Sequence, residues 1–153
     1  MLVKQILSLK DGSDKPGVSA RAVLTISPDA SVAEAAAFLA EHRIGAVVVS
    51  ANGTRPDGIL SERDIVRQIG RSGAAVLDGK VADIMTSDVQ TCAMGEDAWV
   101  ILERMTKGRF RHLPVVDENG DMLGVVSIGD AVSGRLKELA AEKDALTGMI
   151  MGN

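Results

Sequence analysis

A stretch of about forty residues occurs twice in this chain, sixty-six positions apart and without a gap. Gly58-Ile59-Leu60-Ser61-Glu62-Arg63-Asp64-Ile65-Val66 stands over Gly124-Val125-Val126-Ser127-Ile128-Gly129-Asp130-Ala131-Val132. The glycine, serine, aspartate and final valine are identical, and the apolar positions between them stay apolar. Carried back, the same offset sets Val23 on Val89, Thr25 on Thr91, Arg43 on Arg109, Ile44 on Phe110 and Val49 on Val115. An internal repeat constrains the architecture before any local reading, because each copy should build the same unit and bury the same apolar face.

Each copy reads as strand, helix, strand, strand, helix. Val23-Leu24-Thr25-Ile26 and Val89-Gln90-Thr91-Cys92 are short strand candidates. Ser31-Val32-Ala33-Glu34 is a capping box, in which serine and glutamate each satisfy a backbone N–H of the first turn. It predicts an alanine-rich helix to about Glu41, with Val32, Ala35, Phe38 and Leu39 at helical spacing. In the second copy Asp97 takes the cap ahead of Ala98, Ile101, Leu102 and Met105, and the helix runs to Gly108. Ala46-Val47-Val48-Val49 and Leu113-Pro114-Val115-Val116 are unalternating runs of the kind that form buried strands. Turns follow at Asn52-Gly53 and Asp117-Glu118-Asn119-Gly120, where Asn and Gly tolerate positive φ. A second strand then ends at Ser61 or Ser127, where a helix starts. The expected fold class is α/β, with two pseudo-twofold-related strand-helix-strand-strand-helix repeats packed as one module.

The remaining segments fit around these repeats. An N-terminal segment and loop cover residues 1–22, the first repeat 23–76, a connector 77–86, the second repeat 87–135 and a helical extension 136–153. Leu2 to Leu9 should pack on the module as a short helix or strand, and residues 11–20, with Gly12, Pro16 and Gly17, should form a loop. The closing helix is expected from Ile128 to about Met149, with Leu136, Leu139, Ala140 and Leu146 between charges. The charge run from Lys137 to Lys143 reads as a solvated face.

Composition narrows the function. A net charge of −4 argues against a general nucleic-acid surface. No apolar run approaches the roughly 20 residues of a membrane span, and Met1-Leu2-Val3-Lys4-Gln5 does not open a signal peptide. Cys92 is the only cysteine, which points to a reducing compartment, and the expected location is cytoplasmic. Two histidines and one cysteine do not make a transition-metal site. Cys92 aligns with Ile26 and reads as a small buried hydrophobe, and the methionines as gap-filling core. Trp99 aligns with Ala33, and core packing and a dimer contact are equally open for it.

Two copies of Gly-apolar-apolar-Ser-x-x-Asp, the second preceded by Arg111-His112-Leu113-Pro114-Val115-Val116-Asp117, resemble a tandem cystathionine-β-synthase (CBS) domain pair of the stand-alone bacterial type. Asp83-Ile84-Met85-Thr86 adds to the likeness, which covers roughly residues 20–135. The resemblance implies a regulatory module that requires no cofactor and pairs as a homodimer. It implies an adenosine-containing ligand, AMP first, with ADP, ATP, NAD(H) and S-adenosylmethionine as the alternatives.

The chemistry of such a site can be argued beside the likeness. One Asp carboxylate can accept hydrogen bonds from both ribose hydroxyls. A strand-to-helix junction offers backbone N–H groups and the positive helix end to a phosphate. The same Ser-x-x-Asp spelling is also an ordinary capping box, and both roles can fall on the same residues. In the family each ligand lies between repeats. By that pattern Ser127 and Asp130 face Thr25, Pro28 and Ala30, with Ile44, Gly45 and Ala46 along the adenine and Arg111 and His112 at the phosphate. His112 reads equally as a structural hydrogen-bonding residue. The related site takes Ser61, Arg63, Asp64, Thr91, Met94, Glu96 and Phe110. The sites are expected to be unequal, because Arg111-His112 replaces Gly45-Ala46 and Glu96 replaces Ala30.

Two other readings compete with a sensor that reports to an unknown regulated protein. One is a ligand-free interaction and dimerisation module. The other is an enzyme, against which stand the missing nucleophile–base sets, Walker motif and Gly-x-Gly-x-x-Gly. No catalytic residue is assigned.

Overall fold

The computed structural model describes residues 1–11 and 23–150. In the first repeat, β1 (Thr25–Ile26), α2 (Val32–His42), β2 (Ala46–Val49), β3 (Gly58–Ser61) and α3 (Glu62–Ser72) follow in the expected order. β1 runs parallel to β2, with Thr25 opposite Val48, and β2 pairs antiparallel with β3, with Ala46 opposite Ser61. The second repeat carries α5 (Ala98–Gly108), β4 (His112–Val116), β5 (Met122–Ser127) and α6 (Ile128–Ile150), with β4 paired to β5. Its expected first strand is reduced to a single bridge between Cys92 and Val115. Pro114 stands where the first repeat has Val48 and brings no N–H to lengthen that ladder.

The chain divides into two compact units, each with its own core. One buries Val32, Ala35, Leu39, Val47, Val49, Leu60 and Ile65, the other Ala98, Ile101, Met105, Leu113, Val115, Val126 and Ala131. These are the same seven repeat positions. In both, helical spacing on one side and strand residues on the other converge on one apolar layer.

Each core is closed by a segment from outside the repeat body. On the first unit this is the connector, whose short α4 (Val81–Ile84) buries Val81 completely. On the second it is α1 (Val3–Asp11), which buries Val3 completely. The Val81 N–H donates to the Ala30 carbonyl at 2.9 Å and the Ala82 N–H to Pro28 at 3.0 Å. The Val3 N–H donates to Glu96 at 2.9 Å and the Lys4 N–H to Met94 at 3.1 Å. Gly79 accepts from Val32, and Met1 from Ala98, both at 2.9 Å. The contacts are the same on both units, yet the sequence order is crossed: the segment before the first repeat serves the second, and the segment before the second serves the first. One more matched pair, Gly58 and Gly124, lies close against side chains of the closing segments. A Cβ on Gly58 would lie 2.5 Å from Met85 Sδ, and one on Gly124 would lie 3.0 Å from Leu7 Cδ2.

Leu2 to Leu9 thus packs as expected, bridging at Leu2 to Asp97 and continuing as helix. Of the loop expected over residues 11–20, Asp11 ends α1 and the rest lies outside the described residues. No helix among the described residues is long and apolar enough to cross a membrane.

Truncating either closing valine leaves a cavity under a fully buried position. Val3→Ala and Val81→Ala should each cost about 2 kcal/mol, read as a lower urea midpoint, while Val66→Ala on the exposed face of α3 should cost almost nothing. An unchanged midpoint for Val3→Ala would show that α1 does not close the second core.

Candidate functional site

Both Ser-x-x-Asp motifs fold as reciprocal caps at a strand-to-helix junction. The Asp64 N–H donates to Ser61 Oγ at 3.2 Å, and the Ser61 N–H donates to Asp64 Oδ2 at 2.9 Å. The Asp130 N–H donates to Ser127 Oγ at 3.0 Å, and the Ser127 N–H to Asp130 Oδ2 at 2.9 Å. The structural role of these residues is therefore realised in both copies. Capping occupies one oxygen of each carboxylate from the backbone side. Asp64 Oδ1 lies 3.9 Å from the Arg67 guanidinium on the next turn of its helix. Asp64 retains 18% side-chain exposure, so its carboxylate reaches the surface.

The strand that leads into each site is aimed by an arginine in the left-handed region. Arg43 (φ 53°) ends α2 and Arg109 (φ 56°) ends α5. A non-glycine residue there costs about 1–2 kcal/mol, and the same conformation recurs at the same repeat position. The reversal lets the Ile44 N–H donate to Leu39 at 3.1 Å and the Phe110 N–H to Met105 at 3.2 Å. The next carbonyl then meets the first N–H of the following helix, Gly45 from Glu62 at 2.9 Å and Arg111 from Ile128 at 2.8 Å. By this path Ile44, Gly45 and Ala46 come beside Ser61 and Asp64, and Phe110, Arg111 and His112 come beside Ser127 and Asp130.

The expected residues divide between the units. Thr25, Pro28, Ala30, Ile44, Gly45, Ala46, Ser61, Arg63, Asp64 and Thr91 belong to the first, and Met94, Phe110, Arg111, His112, Ser127 and Asp130 to the second. Thr25 is half-buried on β1, Arg63 is exposed in the first turn of α3, and Arg111 is exposed ahead of a half-buried His112. Pro28, Ala30, Met94 and Glu96 form the turns whose carbonyls hold the closing segments. Glu96 is not a bare negative charge: its carboxylate accepts from the Ala93 N–H at 2.7 Å and lies 3.3 Å from the Arg104 guanidinium. Sequence reasoning saw the acid and missed its counter-ion, eight residues on in α5.

Cys92 is 3% exposed. Burial pushes its thiol up from 9.0 to about 12, Glu96 adding to the rise and Arg104 opposing it. Neutral in the fold and ionised in the unfolded chain, such a thiol withdraws stability as pH rises above its unfolded value. A groove of about 500 Å³ also opens on the first unit between α2 and α3, over Leu39, Arg43, Ile44, Gly45, Glu62, Ile65 and Val66.

A family model described as CBS domain matches residues 17–71 and 81–136. The mitochondrial CBS domain-containing protein CBSX3 of Arabidopsis thaliana is 35% identical over 133 residues, covering 84% of this chain and 64% of its own. The chain thus spans under two thirds of that relative. Among solved structures, the CBS-domain containing protein ATU1752 of Agrobacterium tumefaciens superposes with a TM-score of 0.77 at 41% identity, over 88% of this chain and 99% of that one. A CBS domain protein of Pyrobaculum aerophilum complexed with AMP gives 0.69 at 29% identity, over 85% and 89%. The CBS domain pair of protein MJ0100, in complex with 5′-methylthioadenosine and S-adenosylmethionine, gives 0.69 at 25%, over 94% and 98%.

The buried thiol and the caps yield two expected outcomes. Between pH 9 and 11 the wild type should lose stability at up to about 1.4 kcal/mol per pH unit relative to Cys92→Val, measured by urea unfolding across pH. Parallel curves for the two proteins would contradict a neutral buried thiol. Ser61→Ala and Ser127→Ala should each cost about 1 kcal/mol, and equal stability to wild type would contradict the capping geometry.

Proposed function

We propose, from the premise that this chain belongs to the CBS-domain family, that it is a regulatory sensor that binds an adenosine-containing nucleotide and passes its state to a partner protein. The observation that carries this reading is the second unit's junction. There a capped Asp130 and Ser127 lie beside Arg111 and His112, joined through the 2.8 Å bond from Ile128 to Arg111. A carboxylate suited to ribose and a cation with helix N–H groups suited to phosphate stand on one short stretch. The AMP complex of one relative and the methylthioadenosine and S-adenosylmethionine complex of another support the ligand class. AMP is the ligand we favour, with ATP and NAD(H) as competitors, bound by a homodimer in the cytoplasm. Regulation rather than catalysis is the role this arrangement suits.

The Asp64 site is the weaker one in this reading. Gly45 and Ala46 stand where the other junction has Arg111 and His112, so it lacks their donors. Arg104 compensates Glu96, so repulsion contributes less to the difference than the missing cation does. A charge-assisted hydrogen bond is worth about 1.5–3 kcal/mol, which is about tenfold or more in affinity.

A second reading, association through the helices, is favoured by the α2–α3 groove and by Val66 at 69% exposure on its rim. It is compatible with ligand binding and would supply the homodimer.

Calorimetric titration with AMP and adenosine tests the ranking. Asp130→Ala should abolish the tighter event and Asp64→Ala should leave it nearly intact. Arg111→Ala should weaken AMP by about tenfold or more and adenosine far less. Loss of the tight event in Asp64→Ala but not in Asp130→Ala would reverse the assignment.

A further inference from the structure

The last half of α6 leaves the body it starts from. Gly134 is its last buried residue, and every position from Leu139 to Ile150 is exposed. A lone helix of about a dozen residues is marginal in water, so this arm gains from cover. One face of it carries Val132, Leu136, Leu139, Lys143, Leu146 and Ile150, alternating steps of four and three, the seam of a two-helix coil. The apolar members are 42%, 61%, 43%, 58% and 81% exposed. Beside the seam Ser133, Ala140 and Thr147 recur every seven residues, small enough to let a second backbone approach.

We propose that this arm pairs antiparallel with the same helix of a second copy, centred near Ala141. In that register Leu136 faces Leu146 of the partner subunit, Val132 faces Ile150 of the partner subunit, and Lys143 faces Leu139 of the partner subunit, each contact occurring twice by symmetry. A parallel pairing would set Lys143 against its own copy in a single layer.

Two residues off the seam choose the same direction. Trp99 is 55% exposed, with the Arg135 guanidinium 5.9 Å from its ring centre, and Met149 is 77% exposed. Arg135 and Met149 lie on one flank, fourteen residues or about 21 Å apart along the helix. Only the antiparallel arrangement brings Met149 of the partner subunit to Arg135 and the tryptophan, where a thioether gains from an aromatic edge. The polar face mixes Lys137, Glu138, Glu142 and Asp144, so it offers no basic stripe to a lipid surface or a nucleic acid.

Cross-linking reads the register directly, even if the body helices also hold two copies together. Cys92 is 3% exposed, so Leu136→Cys and Leu146→Cys each present one reactive thiol. With the two variants carrying tags of different mass, gentle oxidation of their mixture should give mainly the mixed pair. Oxidation of either alone should give little. Trp99, the only tryptophan, should shift its emission to the red in Leu139→Glu/Leu146→Glu. Self-linked Leu146→Cys would overturn the direction. No cross-link, with unmoved emission in the double variant, would overturn the pairing and leave the arm to another protein or to solvent. AMP binding should survive in the double variant, so failure of this pairing and failure of the nucleotide reading are separate results.

Discussion

Everything in each unit depends on how the turn before its first helix is satisfied. That turn exposes carbonyls at Pro28 and Ala30, or at Met94 and Glu96, and an unpaired carbonyl beside an apolar core costs about 1–3 kcal/mol. The chain answers with the N–H groups of Val81 and Ala82 in one unit and of Val3 and Lys4 in the other. The valine that brings those donors is wholly buried in both cases. Hydrogen bonds and hydrophobic closure are therefore one contact, and neither repeat body is complete on its own sequence. The first unit's closing segment follows directly on its own body, whereas the second unit's closing segment lies at the far side of the first repeat in sequence, so only the second core has to recruit a distant segment.

The opposite ends of the same helices position the candidate site. α2 and α5 each end in a left-handed arginine and turn straight into β2 and β4. The carbonyls of Gly45 and Arg111 then reach the first N–H of α3 and α6. Ser61 and Ser127 cap those helices while their aspartates face the surface. Under the proposed function, stability and recognition would use the same atoms. A capping carboxylate held from the backbone side by its own serine N–H would already be oriented for a ligand hydroxyl, with little side-chain entropy left to lose. Divergence between the copies then acts on a common frame, with Arg111 adding a cation and His112 a ring at one junction where Gly45 and Ala46 leave the other plain.

Much of this was legible in the sequence, for physical reasons that differ by element. The sixty-six-residue offset exposed both bodies because all seven core positions keep their apolar character at that spacing. Ser31-Val32-Ala33-Glu34 gave the start of α2 because a capping box is a local device. The crossed closing segments were not read, although Val3-Lys4-Gln5-Ile6-Leu7 and Val81-Ala82-Asp83-Ile84-Met85 share Val and Ile in register. Their spacing differs from that of the bodies, and no local pattern tells a segment to serve the distant copy. The strand expected over Val89 to Cys92 shrank to one bridge because Pro114 lacks a donor, a loss visible only once its pairing partner is known. The ion pair of Glu96 with Arg104 was hidden because it depends on how a turn meets the helix that follows it.

The central claim is that a frame shared by two repeats presents a carboxylate and a cation to one adenosine-containing nucleotide. Mass spectrometry of the small molecules released from the purified, then heat-denatured protein tests it without presuming which nucleotide is right. An adenosine compound recovered in proportion to the protein, and reduced in Asp130→Ala, is the predicted result. A release containing no adenosine compound, from protein that also fails to take up added AMP, ATP, NADH or S-adenosylmethionine, would contradict the account.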